Sequence, residues 1–98
     1  MKGHLYRISV EHLEDAKGQA VHDQPLVFEA RNHDELFDIV RKIQGRNQFS
    51  QDEAAAFAIG LKLFSEVMLH NKDHELFREF LPEFGDFMKK LKKGQGAA

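Results

Sequence analysis

The chain has 98 residues, 42% of them hydrophobic and 31% charged, with 14 Lys and Arg against 16 Asp and Glu for a formal net charge of −2. That is enough for one small domain whose single core is feasible but thin in margin, and the charge balance gives no overall pull toward nucleic acid or an anionic membrane. The absence of cysteine excludes disulfides, thiolate zinc sites and cysteine nucleophiles, and it suits a reducing cytoplasm.

The N-terminal residues 1–7 (MKGHLYR) lack the apolar run of a signal peptide. The longest nearly apolar stretch, Ala54 to Leu61, is far short of the ~20 residues that cross a bilayer. A cytoplasmic protein without a membrane partner is the expectation. Nine Phe and no Trp make phenylalanine the main large core filler. One compact α+β domain over residues 1–93, followed by a disordered tail at 94–98, accounts for the whole chain.

From Leu5 to Glu11 the residues alternate, with Tyr6, Ile8 and Val10 on one side and Arg7, Ser9 and Glu11 on the other. This is the period of a half-buried strand. Glu14 to Gln19 is turn chemistry, and Gly18 can take the positive φ a turn needs. A second alternating run, Leu26 to Ala30, follows Pro25, which marks a strand start or an outer edge because it cannot donate to a ladder. Ile8 and Val10 share a face with Leu26 and Phe28 only if paired residue numbers sum to an even value, which makes the loop odd in length. A lone hairpin is marginal in water, so it must lie on helices, pair with another chain, or both.

Asn32 or His33 can cap a first helix running to about Gln44, with Asp34 and Glu35 in its first turn and a stripe of Leu36, Ile39, Val40 and Ile43. The sequence SQDE at 50–53 is a capping box opening a long helix to about His70, with Asn71 as its stop. Ala54, Phe57, Leu61, Phe64 and Met68 form its main stripe, and Ala56, Leu63 and Val67 form a second apolar flank. Ala55, Lys62, Glu66 and His70 are the narrow polar strip between them. A helix apolar over most of its circumference is covered from more than one direction. Gly60 costs about 1 kcal/mol against alanine in a helix interior, which points to a close backbone contact there. A short helical piece near His74 to Phe80 precedes a break at Pro82 and a final helix to about Lys93. Phe77, Phe80, Phe84, Phe87 and Leu91 form one seam across that break.

Site chemistry is sparse. His70, His74 and Asp73 are the nearest approach to a metal set, but they straddle a helix end. His4 and His12 are too far apart to chelate together. His33 and Asp34 read best as a helix start, and Lys62 with Glu66 as an i, i+4 pair on an exposed strip. No nucleotide-binding, metalloprotease or nucleophile-elbow motif is present. The sequence therefore nominates no catalytic, cofactor-binding or metal-binding residue and no cofactor. Lys89, Lys90, Lys92 and Lys93 complement a helix C-terminus first and contact phosphates only as a weaker alternative.

Taken in order, YRISVE, KGQ, PLVFEARNHDELFDIV, AIGLKLFSEVML and FLPEFGDFMKKLK resemble a small bacterial family described as a domain of unknown function with a solved structure. The resemblance runs from Leu5 to Lys93, and its most distinctive parts are NHDELF at 32–37 and GLKLF at 60–64. It implies a bacterial cytoplasmic origin and a compact α+β fold, and it carries over no functional residues.

The expected fold is an N-terminal antiparallel hairpin followed by three or four amphipathic helices on one face. The expected core is Tyr6, Ile8, Val10, Leu26, Phe28, Leu36, Val40, Ile43, Phe57, Leu61, Phe64, Met68, Phe80, Phe84 and Phe87. Apolar surplus without site chemistry favours a non-catalytic interaction module whose partner is a second copy or another protein. A small ligand-binding domain or enzyme would instead show a concave pocket in which at least two of His33, Asp34, Glu66, His70 and His74 converge.

Overall fold

The two alternating runs form the two strands of an antiparallel hairpin, β1 (His4–Val10) and β2 (Leu26–Asn32), in a computed structural model that describes residues 2–96, with side chains for residues 2–93. Four helices follow: α1 (Leu36–Gly45), α2 (Gln51–His70), α3 (Glu75–Arg78) and α4 (Leu81–Gly96). Contacts gather in two compact units, one ending at Asp34 and the next beginning at Glu35.

In the hairpin unit His4 lies opposite Asn32, Ile8 opposite Phe28 and Val10 opposite Leu26, so paired numbers sum to an even value along the whole ladder. The loop is odd in length, as the shared apolar face requires. It carries its own tight turn, closed by a bridge between Glu14 and Ala20. The Asp15 carboxylate accepts from the backbone N–H groups of Lys17 and Gln19, each at 2.9 Å, and Gly18 takes φ 83°. The open end is pinned by backbone proximity. Gly3 has φ 102°, and a Cβ on it would stand 2.9 Å from the Asn32 carbonyl oxygen.

The hairpin departs from expectation in two ways. β2 continues two residues beyond Ala30, so Asn32 is a ladder residue paired with His4. Its side-chain oxygen accepts from the Asp34 N–H at 3.0 Å, a local turn that postpones the helix. The cap of α1 is consequently Glu35, whose carboxylate accepts from the Phe37 N–H at 2.8 Å, and Asp38 is the acidic residue of the first turn. Moreover Val10, Leu26 and Phe28 are exposed, whereas Tyr6, Ile8 and Ala30 on the same face are half-buried. The exposed three are the ones nearest the loop.

The helical unit is organised by α1 against α2. Ile43, Ala54 and Ala58 are buried together, with Ile39, Val40, Phe57 and Leu91 packed around them. The capping box of α2 is complete: Ser50 Oγ accepts from the Glu53 N–H at 3.1 Å, and Glu53 reaches back to the Ser50 N–H. The buried line of α2 is Ala54, Ala58, Ser65 and Met68, flanked by half-buried Leu61. Small residues face α1 because its branched Ile39, Val40 and Ile43 fill the space between the axes. The larger Phe57 and Phe64 are thereby rotated to the side.

The chain does break between α3 and α4, with Pro82 in the first turn of α4. α4 continues past Lys93 to Gly96, so the tail expected to be disordered overlaps the end of that helix and otherwise lies outside the described residues. Among the described residues no helix is long and apolar enough to cross a membrane.

Candidate interaction surface

The phenylalanines from Phe49 to Phe87 meet one another in a row, with Phe57 also packed on the α1–α2 core. Phe64 at the middle of α2 lies 6.1–6.2 Å, ring centre to ring centre, from Phe77 of α3, Phe80 and Phe84 of α4. Phe84 continues to Phe87 at 6.3 Å, Phe87 to Phe57 at 6.4 Å, and Phe57 to Phe49 at 5.8 Å. Most of these pairs are tilted or edge to face, and Phe84 lies stacked against Phe87 with 28° between the ring planes; both arrangements are favourable at such separations. The row crosses the α3–α4 break because Phe80 lies within the break itself and the Phe84 N–H donates to the Phe80 carbonyl oxygen at 2.8 Å.

Four of these rings are 41–45% exposed: Phe49, Phe64, Phe80 and Phe87. This corrects the expectation that Phe64, Phe80 and Phe87 are core. Among the described residues nothing covers these four rings fully. With about 200 Å² per phenylalanine, the four offer roughly 350 Å² of contiguous apolar surface. That is on the scale of the largest patches soluble monomers carry, patches that are often functional.

Phe64 joins this row to the outer face of α2. There Ala56, Gly60 and Val67 are exposed and Leu63 is half-buried, while Val67 is 54% open. The polar strip fares in the opposite way: Ala55, Lys62 and Glu66 are half-buried rather than exposed. Lys62 sits beside Ile39 and Lys42 of α1, which is why it loses solvent. Gly60 also corrects its expectation, since a Cβ built on it meets nothing within 4 Å in the chain.

The candidate chemical groups stay dispersed. His33 and Asp34 are neighbours 3.5 Å apart at the end of the hairpin unit, and His70 reaches Glu66 at 3.1 Å along α2. The Nδ1 of His74 accepts from the Leu76 N–H at 3.0 Å, capping α3. His4 lies in β1, and His12 and His22 lie in the hairpin loop. No group of three His, Asp or Glu is placed to hold a metal ion among the described residues. Lys89, Lys90, Lys92 and Lys93 line one shallow, open surface at the end of α4. Phe49 was missing from the sequence reading. Its signal was an apolar residue immediately before a capping box, where such a residue staples the chain onto the helix it precedes.

A family model for a domain of unknown function with a solved structure (DUF3861) matches residues 4–93. The chain belongs to that family. A crystal structure of a protein of unknown function from Pectobacterium atrosepticum is 40% identical, covers 94% of this chain and 99% of its own, and superposes with a TM-score of 0.82. No curated protein matches the chain. That structure thus shares the fold seen here, and the family description assigns no activity.

Proposed function

We propose that this DUF3861 protein is a non-catalytic cytoplasmic interaction module that works as a homodimer, with the phenylalanine row and the outer face of α2 as the shared surface. The observation that carries this reading is the contiguous exposure of Phe49, Phe64, Phe80 and Phe87 on a row of touching rings. A stable interface needs about 800 Å² from each partner. The rings supply close to half of that, and Ala56, Gly60, Leu63 and Val67 extend it along α2. Aromatic anchors surrounded by smaller apolar residues are the composition that association surfaces favour at their centres.

Sedimentation equilibrium over a hundredfold range of concentration tests the proposal on the wild type, Val67→Glu and Phe80→Glu. Both substitutions fall on exposed positions, so circular dichroism is expected to show native helix content. A wild-type dimer that becomes monomeric in both variants supports the reading. A wild-type monomer throughout the range removes the homodimer, and a dimer indifferent to both substitutions removes this surface.

A further inference from the structure

Two clefts in the helical unit meet at Arg46. The first, of about 90 Å³, has an apolar floor of Ile39, Ile43, Leu61, Met88 and Leu91 and carries Lys42, Arg46, Lys62 and Lys92 on its walls. The second, of about 230 Å³, is floored by Phe49, Phe57, Phe87 and Leu91 and edged by Arg46 and Lys90. Among the described residues lining either cleft there is no Asp or Glu. Five cationic side chains therefore surround an apolar floor in a chain whose formal net charge is −2.

Arg46 is the pivot. It ends α1 as the C-cap, but its guanidinium reaches across to α4, where Nη2 donates to the Leu91 carbonyl oxygen at 3.2 Å. Its Nε is buried and has no hydrogen-bond partner among the described residues. Nε itself is closed off from solvent, so what the guanidinium can offer a ligand in the cleft is its remaining Nη donors. Helix-end electrostatics account for Lys42 and Arg46 near the end of α1 and for Lys90 and Lys92 near the end of α4.

We propose that these clefts bind a small amphiphile bearing one carboxylate. The carboxylate pairs with Arg46 and the surrounding lysines, and the aliphatic or aromatic part lies on the Ile39, Ile43 and Leu91 floor. Each cleft is smaller than an ordinary small-molecule site, so the ligand is limited to a short alkyl chain or a single ring lying partly in the open. Charge sets the polarity of the ligand, because an anion gains from all five cations while a neutral or cationic amphiphile gains from none. The first cleft shares no residue with the phenylalanine row, so it stands whether or not a second copy covers that surface, whereas the second shares Phe49 and Phe87 with it.

The test is a titration of isotope-labelled protein with octanoate, followed by amide chemical shifts. Octan-1-ol supplies the tail without the carboxylate, and acetate the carboxylate without the tail. Saturable one-to-one binding of octanoate is expected, with the largest shifts at Ile39, Ile43, Arg46 and Leu91. Octanol and acetate are each expected to bind at least about tenfold more weakly, and Arg46→Gln to weaken octanoate by about tenfold. Should Arg46→Gln lose its native spectrum, the double variant Lys42→Gln with Lys92→Gln serves the same purpose. Running the series on Val67→Glu as well separates this site from the dimer, since Val67 lines neither cleft. Octanoate shifts that never saturate, octanol binding as tight as octanoate, or undiminished binding by the charge-removing variants would each overturn the proposal.

Discussion

Replacing Gly60 with alanine separates what the folded chain needs from what its partner needs. Gly60 lies mid-way along the 20-residue α2, is exposed, and is not among the residues with positive φ. A Cβ added there meets nothing within 4 Å, so the substitution introduces no clash within the chain. What remains is the backbone entropy that glycine loses on entering a helix, about 1 kcal/mol relative to alanine. In a domain of this size that corresponds to a rise of about 4–8 °C in midpoint temperature. The assay is thermal and urea unfolding followed by circular dichroism, at a dilution where sedimentation shows monomer. At higher concentration the same methyl group stands on the proposed shared face, so dimerisation is expected to weaken while the monomer gains stability. Unchanged or lowered stability of the dilute monomer would refute the reasoning, because it would mean that some part of the chain does approach Gly60.

Two further substitutions probe the framework. Gly3→Ala forces an alanine to φ 102° and brings its Cβ to 2.9 Å from a backbone oxygen, so a loss of about 2 kcal/mol in urea unfolding is expected; a neutral result would mean the open end of the hairpin contributes little. Ser50→Ala removes the acceptor for the Glu53 N–H and is expected to cost about 1 kcal/mol, whereas Ser50→Asp restores the acceptor and most of the stability. Equal losses for the two Ser50 variants would show that the cap is not what α2 depends on.

The sequence specified local structure well wherever one residue's chemistry decides the matter. Gly18 in its turn, Ser50 and Glu53 in their box, Asn71 at the end of α2 and Pro82 at the start of α4 all sit where their side chains or backbone preferences put them. Strand parity likewise foretold the even-sum register, because a slip of one residue would turn Ile8 and Phe28 to the other face. The start of α1 was less legible. Asn32, His33 and Glu35 can all cap a helix, and the choice fell to Glu35 because the ladder extends through Asn32. The clefts around Arg46 had no signal in sequence spacing, since their walls come from three helices that only packing brings together.

Length, periodicity and capping thus determined by themselves the α+β class, the hairpin and both ends of α2, because those depend on interactions within a few residues. Only the tertiary structure decided which apolar residues are core. On α2 an apolar arc covering most of the circumference could turn any of several lines toward α1. The bulk of Ile39, Val40 and Ile43 selected the small residues Ala54 and Ala58, and Phe64 was left at the surface with Phe80 and Phe87. Periodicity shows that a side chain belongs to an apolar face; whether that face is covered depends on the volume and placement of what lies opposite, which no local pattern contains.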